Sequence, residues 1–221
     1  MKLSKRLMTI AQFVDGFSSL ADIACDHGYL GIYCALNYDL NEVLLTDINE
    51  LPLESAKVNI NKYMVNEKVK TALGDGLAPL TKPYDVISIS GIGGNLLVNI
   101  LKKDLLKAQK AKRLILSANN DVKALRKFLM DNAFEIETEV MVDDYKYYEV
   151  IICKYVDKKI QYTDLELHYG PHLLQNKSKE FIACYEKLLN TLLLQVAKVN
   201  NQDAKINLLK RIEEIKGLLK N

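Results

Sequence analysis

No stretch of this 221-residue chain is apolar for long enough to cross a membrane, because its hydrophobic runs are short and broken by charge. The N-terminal "MKLSKRLMTI" also lacks a sustained apolar segment and a small-residue cleavage site, so an unexported, cytoplasmic protein is expected. No CxxC pair occurs. Cys25, Cys34, Cys153 and Cys184 are scattered, which excludes the usual zinc spacings and leads us to expect no metal and reduced, mostly buried thiols. A formal net charge of +2 excludes the strongly basic signature of a chain that binds nucleic acid through its overall charge. Up to residue 156 there are 19 Lys+Arg against 20 Asp+Glu, and beyond it 11 against 8, so the basic excess sits in the tail. "KKDLLKAQKAKR" and "LSKR" are local basic clusters, each either a phosphate-facing surface or a solvated helix face. Repeats and low-complexity tracts are absent. What remains, with 49% hydrophobic and 26% charged residues, is enough for one α/β core and an accessory piece.

Apolar runs at 20–24, 42–46, 68–72, 84–90 and 113–118 alternate with helical periodicity near 29–38, 51–65, 94–107 and 121–132. That alternation predicts βαβ units and a parallel sheet. Ser4 is placed to cap a first helix with Leu7, Ile10, Ala11 and Val14 on its apolar face. "FEIETEVMVDDYKYYEVIICKYV" reads as a hairpin adding antiparallel strands to the sheet edge. From about residue 157 the β signal ends. Gly170-Pro171 marks a helix start, and two apolar seams follow: Phe181, Tyr185, Leu188, Leu192, Val196 and Val199, then Leu208, Ile212, Ile215 and Leu219. They predict an antiparallel helical hairpin of coiled-coil type. The expected domains are therefore 1–156, an α/β Rossmann-like domain, and 157–221, the helical hairpin.

The first strand runs into "ADIACDHGYL", a nucleotide-binding type of turn without the G-x-G-x-x-G that would cradle a pyrophosphate. It aligns instead with the "LDIGCGTGYL" turn of class I methyltransferases, Ala24 and Asp26 standing for two glycines. Asp47 ends the second strand, where an acid can accept both ribose hydroxyls of S-adenosylmethionine. Asp75 in "GDGL" follows the third, where it can receive the adenine amino group. "SGIGGN" follows the fourth strand, at the carboxyl edge where such sheets bind ligands. Singly, each is more often a cap or a turn; in this order they point to a methyltransferase. No "NPPY" signature follows the fourth strand, which favours a ring nitrogen over an exocyclic amine as acceptor.

"LSKRL", "ADI..DHGYL", "GDGL", "SGIGG", "LILSANN", "YYEV" and "YGP.LL" together resemble, over essentially the whole chain, the bacterial tRNA (adenine-22-N1)-methyltransferase family, TrmK. The resemblance implies a class I methyltransferase that uses S-adenosylmethionine to methylate N1 of an adenine in tRNA. It implies Asp26 as the catalytic acid, beside His27, and Arg6 as the counterpart of the family's N-terminal arginine. Cofactor contacts are expected from Asp22, Ala24, His27, Gly28, Asp47, Ile48, Asp75, Gly76 and Gly91. Substrate contacts are expected from Arg6, His27, Tyr29, Gly93 and Asn119. The chain departs from the family in Ala24-Cys25 and in "SANN", which lacks the proline of the common loop. The partner expected is tRNA, with no membrane and no metal, and a monomer is favoured.

Methyl transfer leaves adenine cationic, so a carboxylate near N1 and the amino group stabilises the charge that develops and can take the amine proton. A helix cap near Tyr29 is the competing role for Asp26, and a structural hydrogen bond for His27. His168 and His172 read as packing residues, and Tyr147 and Tyr148 as sheet-edge filling. Two other functions stay open on the residues alone. One is a methyltransferase acting on a protein or small molecule. The other is an RNA-binding protein on a degenerate methyltransferase fold.

Overall fold

The structure, a computed structural model, describes residues 1–220 and divides into two compact units, Met1–Pro171 and His172 onward. In the first, β1 (Ser19–Ile23), β2 (Glu42–Asp47), β3 (Val69–Leu73), β4 (Val86–Ser90) and β5 (Arg113–Ser117) form a parallel sheet. The hairpin β6 (Phe134–Asp144) and β7 (Lys146–Tyr155) joins antiparallel, giving the order β3-β2-β1-β4-β5-β7-β6. The chain runs outward from β1 to β3 and then returns to β4 on the other side of β1. The carboxyl ends of β1 and β4 therefore flank a topological switch point.

The inner parallel strands β1, β2, β4 and β5 turn apolar residues to both faces of the sheet, because helices cover both. Leu20, Val43, Leu45, Val69, Val86 and Ile115 face one layer, with α1 (Lys5–Gln12), α2 (Tyr29–Asn37) and α3 (Glu50–Lys62). Ala21, Ile23, Ile87, Ile89, Leu114 and Leu116 face the other, with α4 (Gly94–Lys103), α5 (Leu105–Gln109) and α6 (Val122–Asp131). Leu45 shows how tight the first layer is. A Cβ on Gly28 would lie 2.6 Å from its Cδ1, and one on Gly31 2.4 Å from its Cδ2. Those glycines let α2 settle onto β2, and Leu45→Ala would cost about 2–5 kcal/mol.

Two elements differ from expectation. The helix expected over 94–107 is broken at Asp104, whose backbone (φ −123°, ψ 42°) leaves the helical region before α5 begins. The expected boundary at 156 also comes too early for the compact units. α7 (Asp164–Tyr169), opened by a Thr163–Glu166 capping box, belongs with the sheet. Arg126 of α6, fully buried, holds it there by donating to the carbonyls of Leu167 and His168 at 3.4 and 3.3 Å. The same guanidinium meets Glu139 at 2.7 Å and also pairs with Glu149. Gly170, at φ +88°, passes so close that a Cβ would stand 2.6 Å from both Arg126 and Glu139.

Helix α8 begins at Pro171, as the Gly-Pro pair predicts, and ends at Asn176. The second unit is dominated by α9 (Lys179–Val196), capped by Ser178, and α10 (Gln202–Lys220), whose start is capped by Asn201. They run antiparallel, since Lys177, just before α9, donates to the carbonyl of Leu218 near the end of α10. The seam buries Phe181, Tyr185 and Leu192 against Ile212, Ile215 and Leu218. Leu218 therefore takes the place expected for Leu219, which is only partly covered. Residue 221, the last of the expected hairpin, lies outside the described residues.

Candidate active site

A cleft of about 520 Å³ opens at the carboxyl ends of β1, β2 and β4 and over the turn after β3. That is the size of a small-molecule site, and its position is the one that an open α/β sheet reserves for ligands. Backbone bonds tie its turns together: the Cys25 amide donates to the Thr46 carbonyl and the Gly74 amide to the Asp47 carbonyl, each at 3.0 Å.

The turn after β1 takes left-handed backbone three times, at Ala24 (φ +56°), Asp26 (φ +52°) and Gly28 (φ +72°). Ala24 and Asp26 are the residues that stand where the related turns carry glycine. Holding alanine there costs about 1–2 kcal/mol, while aspartate enters this region more readily. Asp26 does not cap α2. Gly28 is the N-cap, and the side chain that meets the first turn is that of Asp22, at the Gly31 amide. The Asp26 carboxylate is instead 72% exposed at the cleft, with His27 Nε2 at 3.6 Å from its Oδ1. The His27 carbonyl accepts from Asn59 at 3.0 Å, and its ring lies 5.5 Å from that of Tyr29.

Three further carboxylates line the cleft. Asp22 is buried, and burial pushes its carboxyl up to about 7, with the Gly31 amide opposing in part. Asp47, also buried, fixes Oδ1 on the Asn49 amide at 3.0 Å and leaves Oδ2 without a hydrogen bond among the described residues. Asp75, half exposed, accepts from Lys103 Nζ at 2.7 Å. Beside them Cys25 stays a neutral thiol, since burial and then the Asp22 charge drive its ionisation far up.

Arg6 enters from α1. Its amide donates to Asp144 at 3.0 Å, and its guanidinium donates to Asn119 Oδ1 at 3.3 Å and stacks 4.4 Å above the Tyr148 ring. Asn119 Nδ2 in turn donates to the Gly91 carbonyl at 2.6 Å, and Asn120 Oδ1 receives the Gly94 amide at 3.1 Å. The "SANN" loop thus braces Arg6 and the start of α4 without the proline of related chains.

Arg6, Asp22, Ala24, Asp26, His27, Tyr29, Asp47, Ile48, Asp75, Gly76 and Gly91 all line the cleft. Gly28, Gly93 and Asn119 do not. Gly28 faces Leu45 and Ala56, Gly93 faces Asn120, and Asn119 stands behind Gly91 and Arg6. Sequence reasoning missed Leu96 and Ile100, an apolar wall on α4, and Tyr148 beneath Arg6. Leu96 and Ile100 carry the i, i+4 spacing of a core face, yet Leu96 is 53% exposed, and nothing local in "YKYYEV" distinguishes Tyr148 from Tyr147.

Four carboxylates face one guanidinium in this cleft, so it favours a cationic ligand. A buried acid with no cation against it, as Asp22 is among the described residues, is costly until one arrives. S-adenosylmethionine, with a sulfonium, an ammonium, two ribose hydroxyls and an adenine, fits this donor set: Asp47 offers a free carboxylate oxygen, and Ile48, Leu96 and Ile100 offer apolar walls.

Fold and cleft together define a Rossmann-like class I methyltransferase. A family model described as tRNA (adenine(22)-N(1))-methyltransferase, TrmK, matches residues 20–218. The chain belongs to that family. It is 33% identical over 188 residues to the tRNA (adenine(22)-N(1))-methyltransferase of Bacillus subtilis, covering 82% of this chain and 79% of that one. Among solved structures, Streptococcus pneumoniae Sp1610 in complex with S-adenosyl-L-methionine superposes with a TM-score of 0.89 at 29% identity, over 99% of this chain and 100% of that one. M. capricolum TrmK in complex with S-adenosyl-homocysteine superposes with a TM-score of 0.86 at 28% identity, over 100% and 99%.

Proposed function

We propose that, in the tRNA (adenine-N1)-methyltransferase reaction of this chain, Asp26 faces the target adenine while the deeper acids hold the cofactor. The observation that carries this reading is the Asp26 carboxylate itself: it stands at the cleft in a left-handed turn, mostly exposed and engaged in no helix cap. Bound S-adenosylmethionine supplies an electrophilic methyl carbon, whose bond to sulfur breaks as a bond to adenine N1 forms, moving the positive charge onto the base. Asp26 stabilises that charge and accepts a proton from the exocyclic amine. Asp47 accepts from the ribose hydroxyls, Asp75 receives the cofactor's adenine amino group, and Ile48 and Ile100 cover the ring. Asp22 faces the cationic end, within reach of the turn at Ala24 and His27.

Arg6, held by Tyr148 and Asn119, contacts the tRNA rather than the methyl group, with Tyr29 and His27 on the base side. The helical unit adds tRNA affinity, a reading supported by the basic excess beyond residue 156. The tRNA substrate and four free cysteines support a cytoplasmic setting. Among the described residues no helix is long and apolar enough to cross a membrane.

The test is incubation of the protein with unmodified tRNA and labelled cofactor, followed by nucleoside and position analysis. N1-methyladenosine at position 22 is the expected product. Label in N6-methyladenosine, or none in tRNA, would overturn the assignment.

A further inference from the structure

Lys103 closes the last turn of α4 and reaches back to the cleft. Leu96, Ile100 and Lys103 follow at spacings of four and three, so they share one face of the helix. Ile100 presses that face onto the turn after β3, its Cγ2 lying 2.9 Å from where a Cβ on Gly76 would stand. The Lys103 ammonium then meets Asp75 Oδ2 at 2.7 Å, with both side chains about half exposed. Apart from the Asp26–His27 contact, this is the one ion pair among the described residues whose acid lines the cleft. Lys127–Asp131 and Lys216–Glu213, by contrast, join neighbours along a helix surface.

We propose that Lys103 is a positioning residue: by holding Oδ2 it presents Oδ1 of Asp75 to the purine and sets the site's preference for a 6-amino over a 6-oxo purine nucleoside. The inference rests on the reading above that Asp75 receives the adenine amino group. An aspartate carboxylate turns easily about its last torsion, and half exposed it would sample several orientations. Held by Lys103, it meets an amino group as a hydrogen-bond acceptor meets a donor, and meets a 6-oxo group as a second acceptor. Released, it can swing to the ring N1–H that a 6-oxo purine carries and an adenine lacks. Losing the ammonium therefore weakens the choice between the purines more than it weakens the fold, because a solvated pair of this kind adds little stability.

The full chain is titrated by calorimetry with S-adenosylhomocysteine and with S-inosylhomocysteine, its 6-oxo counterpart. The wild type should prefer the adenosyl compound by about tenfold or more, the scale of one charge-assisted hydrogen bond. Lys103→Met should narrow that preference by about two- to fivefold, the scale of an exposed ion pair, and Lys103→Arg should keep it. In an Asp75→Asn background the preference should collapse, and Lys103→Met should change nothing further. A Lys103→Met protein with the wild-type ratio would overturn the proposal and leave Lys103 a surface ion pair. A wild type that binds both compounds equally, or an Asp75→Asn protein with an unchanged ratio, would overturn the Asp75 reading and the proposal with it.

Discussion

Glu139 and Glu149 share one fully buried guanidinium, whereas Asp22 and Asp26, in and just after β1, have no lysine or arginine paired with them among the described residues. Both groups sit in the same unit, on the same sheet. Around Arg126 the charges answer one another, and carbonyls of α7 take the donors left over. Burial still raises the Glu149 carboxyl, with Arg126 opposing. Such a cluster has nothing left to offer a ligand. In the cleft the acids are left incomplete, Asp22 by burial without a cation and Asp26 by exposure without a cap. The difference separates acids that fasten the fold from acids that wait for a substrate.

Breaking the first group should therefore cost stability, and breaking the second should cost chemistry. Arg126→Met leaves two glutamates facing each other in the interior and should destabilise the protein by about 3–5 kcal/mol in denaturant unfolding, the loss typical of breaking a buried ion pair. A change below about 1 kcal/mol would mean that water already reaches the cluster.

Asp22 sharpens the comparison through pH. Its carboxyl is raised from 3.8 to about 7 in the folded protein. Below about pH 4 it is protonated whether folded or not and has no effect on stability. Between about 4 and 7 only the unfolded chain releases the proton, so this group's contribution falls as pH rises, and it levels off above 7. A cationic cofactor favours the ionised form, so cofactor affinity should climb from about pH 5.5 to 7.5, and Asp22→Asn should flatten the climb. Calorimetry across that range checks it, and an equal slope in the variant would take Asp22 out of the linkage.

The parallel strands and most helices were legible because each carries its own pattern: short apolar runs for buried strands, spaced apolar residues and a Ser4 cap for α1. Leu218 replaced Leu219 in the C-terminal seam because adjacent leucines fit a helical spacing almost equally well. The cleft acids at positions 22, 26, 47 and 75 were legible through their places at or just beyond the carboxyl ends of the first three strands. Arg126 was not, since an arginine in an amphipathic helix looks like a surface residue until Glu139 and Glu149 arrive from strands 13 and 23 residues away. "YYEV" stands out by resemblance, and "YGP" by resemblance and as a helix start. The structure gives them a physical reason, since Glu149 and Gly170 both close on Arg126. Lys103 was hidden for a related reason: "KKDLLKAQKAKR" reads as one basic cluster, yet Lys103, Lys107, Lys112 and Arg113 each answer a different acid or carbonyl.

Asp26→Asn tests the central claim most directly, because it keeps the size of the side chain and removes the charge. The measurement is single-turnover methylation of tRNA at saturating cofactor, with cofactor affinity and thermal stability followed alongside. With Asp26 facing the adenine, the rate should fall by about 10²–10³ while affinity and stability stay near wild type. A variant that methylates at the wild-type rate would contradict the account, and one whose loss lies wholly in cofactor affinity would move Asp26 from the base to the cofactor.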